Sequence, residues 1–261
     1  MRIYVRETLL LNLILDRMQS KELEKEIIEI KTSAKEIGIY LKGLTGQTSN
    51  LSEEEWLLVR TQHFKDVFGD WEHYFKCHFL LEHPEVSILT GNEFLAIEGK
   101  TLTELVEVYF NELGGKVFSP FFGEVTLDRK GADDSLAHGM GRLKAIAYAA
   151  VKDVIEKGIL VDYDTNHKGR GYNSAILAAP IQIKDERFIC EVAIILNENN
   201  CRFYLHEVTK QKKILDAVFV TNLTQKSSAH LGVFAKVLQN ILSAKDLQIN
   251  ISLDNNGEPI L

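Results

Sequence analysis

Four apolar runs follow one another in residues 159–208: ILVDY (159–163), YNSAILAAPIQI (172–183), FICEVAIIL (188–196) and CRFYLHEV (201–208). Each is rich in β-branched or aromatic residues and is flanked by turn formers, the pattern of a strand. Asp185-Glu186 and Asn197-Glu198-Asn199-Asn200 are hairpin-length links. Links this short make the neighbours antiparallel, because a parallel crossover needs roughly a dozen residues or more. The decisive stretch therefore reads as an antiparallel meander of about four strands.

Upstream of these runs, Asp133-Asp134-Ser135 reads as the cap of a helix running through Leu143, Ile146, Ala147, Ala150, Val151 and Ile155 to Lys157-Gly158. Its apolar residues recur at three- and four-residue spacing, so one face packs against another part of the protein. Before it, Val117 to Leu127 reads as extended chain interrupted by Pro120 and Gly123. Thr101-Leu102-Thr103-Glu104 is a capping box, opening a helix that stops at Gly114-Gly115. Ser52-Glu53-Glu54-Glu55 is another, with Leu51 and Trp56 as its hydrophobic staple. Residues 5–42 are helix formers ending at Lys42-Gly43, and beyond the meander residues 218–246 return to helix before a last strand at Leu247 to Leu253.

Composition narrows the function classes. The chain has 261 residues, 45% hydrophobic and 26% charged, enough for a substantial core and unlike a disordered chain. Its net charge of −7 excludes a surface basic all over, but not a local basic cleft. Residues 114–213 hold 15 Lys/Arg against 13 Asp/Glu, a balance of +2, so the acidity lies outside this region. Cys77, Cys190 and Cys201 are too few and scattered for a disulfide framework, which points to a reduced, cytoplasmic setting. No apolar run approaches the ~20 residues that span a bilayer, so no membrane partner is expected. Leu9 to Leu15 after Arg2 and Arg6 superficially resembles a secretory signal, but Asp16-Arg17 follow at once without a small-residue cleavage site. An amphipathic or buried helix is the better reading.

Three segments carry candidate chemistry. Ser135-Leu136-Ala137-His138-Gly139-Met140-Gly141-Arg142 sets His138 in the first turn of the expected helix, where exposed N–H groups suit a phosphate. His167-Lys168-Gly169-Arg170-Gly171-Tyr172 is a basic, glycine-flanked loop whose cations can hold an anion. In Phe203-Tyr204-Leu205-His206-Glu207, strand alternation puts Tyr204 and His206 on one face and Phe203 and Leu205 on the other. Two imidazoles beside a cation suit RNA cleavage without a metal: one removes the 2′-hydroxyl proton and the other protonates the leaving 5′-oxygen. Lys168 and Arg170 would stabilise the phosphorane-like transition state. Unperturbed histidine titrates near neutrality, so both protonation states are accessible.

The stretch from about 113 to 210 resembles a large polyvalent-protein-associated domain of phages and mobile elements. The residues that carry the resemblance are Gly114-Gly115-Lys116-Val117, Gly123-Glu124-Val125, Ser135 with His138-Gly139, Lys157-Gly158, Lys168-Gly169-Arg170-Gly171-Tyr172, Ala178-Ala179-Pro180 and Phe203-Tyr204-Leu205-His206-Glu207. Such domains are similar to the barnase–EndoU–colicin–RelE nuclease superfamily, in which N-terminal helices precede a four-stranded antiparallel sheet. The resemblance covers under half of the chain and implies metal-independent RNase activity, although some relatives are non-catalytic accessories. Phe64 to Glu72 resembles the short FKxWFGDW-type segment of polyvalent proteins, and also reads as a packed helix end with aromatic anchors. Leu253 to Leu261 resembles the lead-in to a phage-type ADP-ribosyltransferase domain whose catalytic part does not follow. ADP-ribosylation is thus not expected, and the chain reads as one module of something larger.

His73, Cys77, His78, Glu82 and His83 form a further cluster, with His73/Cys77 and His78/Glu82 each four apart on a helix. The two pairs point in different directions, so ordinary helix surface is favoured over zinc. Ser227-Ser228-Ala229-His230 lacks a nucleophile-elbow glycine pattern and reads as a cap.

The expectation is an α+β protein: a helical N-terminal region (1–112), a helix-plus-antiparallel-sheet nuclease-like domain of about four strands (113–213), and a C-terminal helical and strand extension (214–261). The expected activity is a toxin- or effector-like endoribonuclease working by 2′-hydroxyl transesterification without metal or cofactor, in the cytoplasm of the producing or a target cell. His138, His206, Lys168 and Arg170 are its catalytic residues, with Tyr172, Tyr204 and Arg142 binding RNA. An immunity protein is an expected partner beside RNA. The alternative is a non-catalytic protein-interaction module of a polyvalent protein.

Overall fold

Helix starts near the N-terminus follow from local hydrogen bonding. The computed structural model describes residues 21–136, 141–166, 169, 171–197 and 200–210. Helices α1 (Lys21–Ile37), α2 (Glu53–Leu58), α3 (Gln62–Phe68) and α4 (Trp71–Glu82) come first. Ser52 Oγ accepts the Glu55 N–H at 3.2 Å while Glu55 Oε2 accepts the Ser52 N–H at 2.9 Å, closing the capping box that starts α2. Thr61 and Asp70 side chains accept backbone N–H groups at the starts of α3 and α4. The indole N–H of Trp71 donates to Val59 O at 2.6 Å and that of Trp56 to Lys42 O at 2.8 Å. The Arg60 guanidinium lies 3.8 Å from the Trp56 ring and pairs with Glu72 at 3.2 Å. With Ala34, Leu51 and Phe64 buried beside them, the two tryptophans make a small core of their own. The Phe64–Glu72 phrase is thus a pair of packed helix ends with aromatic anchors.

Next come β1 (Ser87–Leu89), α5 (Leu102–Glu112), β2 (Lys116–Ser119), β3 (Gly123–Thr126), α6 (Arg129–Leu136), α7 (Arg142–Ala147), a 3₁₀ turn at Tyr148–Ala150 and α8 (Val151–Lys157). The Thr101/Glu104 box opens α5, and Gly114 and Gly115, both at positive φ, follow its end. The four strand runs are β4 (Ile159–Asp164), β5 (Asn173–Ile183), β6 (Glu186–Asn197) and β7 (Asn200–Lys210), and each of the last three is antiparallel to the one before it.

The expected α+β arrangement of one helix on about four antiparallel strands is overturned by three further strands in the same sheet. The sheet has seven strands in the order β1-β5-β6-β7-β3-β2, with β4 sharing the outer edge of β5. It is mixed and curls into a half-barrel: β1 runs parallel to β5 and β3 parallel to β7, while β2 and β3 form a hairpin. Short links reveal hairpins, whereas these parallel partners meet only after long excursions of chain. The expected C-terminal helices and strand, and the helix over 5–20, lie outside the described residues.

A second correction concerns the helix expected to start near Ser135. Asp128 Oδ1 accepts the Gly131 N–H at 2.9 Å, so α6 begins at Arg129 and Ser135 falls in its last turn.

The curled sheet holds its main core on one face. Val106 and Phe110 of α5 and Val151, Val154 and Ile155 of α8 pack there against Phe188, Val192, Phe203 and Leu205, all but completely buried. On the opposite face, Phe79 and Leu80 of α4 cover Ile159, Ala178 and Ile189. Lys42 Nζ donates to Pro120 O at 3.1 Å, and Asn173 Nδ2 to Glu36 O at 3.2 Å, tying the N-terminal helices to the sheet domain. No described helix is long and apolar enough to cross a membrane.

Candidate functional site

Strand β7 carries an extra residue. Phe203, Tyr204 and Leu205 pair with Ile194, Ala193 and Val192, but the next pair is Glu191 with Glu207, so His206 is inserted as a β-bulge. Two consecutive side chains, His206 and Glu207, therefore oppose the single Glu191. Before the bulge, alternation keeps Phe203 and Leu205 in the core and sends Tyr204 to the other face beside His206. Their rings meet edge to face, centroids 5.9 Å apart at 71°. His206 Nε2 lies 3.9 Å from Glu191 Oε2, with the two side chains 39% and 28% exposed.

The strand beneath the site is held from the other side by α6. Because β3 pairs with β7 only at Cys201 and Arg202, the N–H of Leu205 needs another acceptor. Ser135 Oγ supplies it at 2.8 Å and donates onward to Gly131 O at 2.7 Å. Gly131 permits this approach: a Cβ there would lie 2.6 Å from the Phe203 carbonyl oxygen. Tyr148 OH donates to Ala132 O at 2.9 Å, and the buried Lys144 donates to Ser135 O at 3.4 Å. Burial pushes the Tyr148 phenol up to about 12 and lowers the Lys144 ammonium below its ordinary range.

Carboxylates dominate the exposed side. Burial first, and then the like charges of Glu207 and Asp162, raise the Glu191 carboxyl above its ordinary range. Glu191, His206 and Glu207 each offer a ligand atom within 4.8 Å of the others, a set that could hold a metal ion. Elsewhere Cys77 Sγ lies 3.5 Å from His73 Nε2 on α4, and the His83 ring stacks on Phe79. Burial raises the thiols of Cys77, Cys190 and Cys201, which makes each a poorer nucleophile.

Of the residues singled out by sequence, the structure brings Tyr204 and His206 together. Arg142 opens α7 and donates to Gly91 O at 3.0 Å and Phe94 O at 3.1 Å, clamping the loop after β1. Tyr172 sits half-buried just before β5. Its loop is based on Asn166, whose side chain accepts the Gly171 N–H at 2.8 Å, and turns at Gly169 and Gly171 with positive φ. His138, Lys168 and Arg170 lie outside the described residues. Glu191 joins Tyr204 and His206 without a motif to mark it in the sequence, where its only signal is being the one charge within the apolar run Phe188 to Leu196.

No curated protein and no solved structure matches the chain. Residues 99–204 match the family model of Large polyvalent protein-associated domain 3. That span starts just before α5, includes α6 with Ser135 and ends at Tyr204, two residues before the bulged histidine. Residues 99–204 are therefore similar to a large polyvalent protein-associated domain, a likeness that supports a polyvalent-protein, phage-associated context.

Proposed function

We propose that this domain is a relative of the barnase–EndoU–colicin–RelE nucleases and cleaves RNA by 2′-hydroxyl transesterification, with His206 as one of its proton carriers. The supporting observation is the bulge that presents a half-exposed imidazole beside the Glu191 carboxylate, at 3.9 Å, with the Tyr204 ring edge-on. A carboxylate next to an imidazole orients the ring and stabilises its protonated form, the arrangement a general acid or base needs. In the proposed reaction a base takes the ribose 2′-proton and the 2′-oxygen attacks phosphorus. The 5′-oxygen leaves with a proton from the acid, and the product ends in a 2′,3′-cyclic phosphate. His138 is the second proton carrier in this reading, Lys168 and Arg170 bind the phosphate, and Tyr172 or Tyr204 stacks on a base. A toxin or effector of this kind would pair with an immunity protein.

Crowding of Glu191, Glu207 and Asp162 favours a second reading, because carboxylates repel a phosphodiester. In that reading the domain is a non-catalytic interaction module of a polyvalent protein. Purified full chain incubated with total RNA in chelator, beside His206→Ala and His138→Ala variants, separates the two. Cleavage that both substitutions abolish supports the nuclease. RNA left intact by the wild-type chain supports the interaction module.

A further inference from the structure

The imidazole that stands among carboxylates on the bulge has a use that does not require RNA. Oxygen ligands alone would suit calcium or magnesium, but one imidazole nitrogen with two carboxylates is a donor set for zinc and its neighbours. The backbone fixes these donors in advance. Glu191 and Glu207 are cross-strand partners, and the bulge adds His206 to the same side, so no loop has to fold to gather them. Their ligand atoms already lie within 4.8 Å of one another, with Nε2 and Oε2 of His206 and Glu191 at 3.9 Å. Around tetrahedral zinc with bonds of about 2.0–2.1 Å, ligand atoms stand roughly 3.3 Å apart, a closure that side-chain rotation supplies. A cation would also relieve the mutual repulsion of Glu191, Glu207 and Asp162 on this face.

We propose that Glu191, His206 and Glu207 bind a divalent transition-metal ion of the zinc type, with water completing its coordination. Metal and proton compete for the same imidazole nitrogen, so affinity falls as pH drops. If His206 carries protons during RNA cleavage, a consequence that rests on the preceding proposal, zinc inhibits that cleavage.

The test uses the full chain freed of metal by chelator and dialysis, titrated with zinc chloride in a calorimeter near neutral pH. The expected result is one ion per chain, with affinity about tenfold weaker or worse in Glu191→Gln and in Glu207→Gln. Both are near-isosteric changes, and circular dichroism verifies that each variant is folded. A His73→Ala/Cys77→Ser variant guards against the pair on α4 and should bind like wild type. Absence of binding, binding unchanged by both glutamine substitutions, or binding lost only in the His73/Cys77 variant would each overturn the proposal. Calorimetry reads metal directly, so its outcome stands apart from whether RNA is cut in chelator.

Discussion

Replacing Ser135 by alanine isolates the contact that holds β7 beneath the candidate site. The hydroxyl is fully buried, accepts the Leu205 N–H at 2.8 Å and donates to Gly131 O at 2.7 Å. Losing the second bond costs little, because a carbonyl inside a helix keeps its backbone partner. Losing the first leaves the N–H of a fully buried residue without an acceptor, at about 1–3 kcal/mol. The missing oxygen leaves less room than a water molecule needs, so solvent does not replace it. The expected loss is about 2 kcal/mol, roughly a thirtyfold shift toward the unfolded state. Urea unfolding followed by far-ultraviolet circular dichroism reads this as a lower midpoint at unchanged slope. A loss below about 0.5 kcal/mol would show that the Leu205 amide has another acceptor.

Gly131→Ala tests the same packing with the opposite naive expectation. Helix propensity alone predicts a gain of about 1 kcal/mol, but the added Cβ meets the Phe203 carbonyl oxygen at 2.6 Å, and a strand backbone cannot step aside. A net loss of about 1–3 kcal/mol in urea unfolding is expected, and any gain contradicts the close approach. Glu191 provides a pH test, performed in chelator. Its folded carboxyl titrates above the ordinary 4.5, so the folded chain binds more protons than the unfolded one between the two values. Stability therefore falls as pH rises through that window, and the penalty is absent below it. Glu191→Gln should unfold at a higher urea midpoint than wild type at about pH 8 and at nearly the same midpoint near pH 4. A variant less stable at the higher pH would show that the Glu191 charge is compensated.

What was legible in the sequence was local chemistry. Ser52/Glu55 and Thr101/Glu104 lie three residues apart, within reach of their own backbone, and both boxes form. The hairpins linking β5, β6 and β7 were equally visible, since apolar runs separated by a few turn residues have little choice but to pair with each other. The parallel pairs were not. Ser87 meets Ile181 and Val125 meets Cys201 although helices and strands separate them along the chain, and no neighbouring residue encodes that meeting. The start of α6 is hidden in the sequence because Asp133, Asp134 and Ser135 all look like caps, whereas Asp128 takes the N–H that matters. In the candidate site, alternation told which face Tyr204 and His206 share. The inserted residue that turns Glu207 to that face as well is a property of the β6–β7 ladder. Glu191 belonged to the site only once its strand had been paired.

Whether the ribose 2′-hydroxyl is the nucleophile is read from a defined oligoribonucleotide, compared in chelator with the same oligonucleotide carrying 2′-O-methyl groups throughout. The full chain should cut only the unmodified strand, leaving a 2′,3′-cyclic phosphate, and His206→Ala should leave both strands whole. Cleavage of the methylated strand, or cleavage that persists in His206→Ala, would contradict the proposed chemistry.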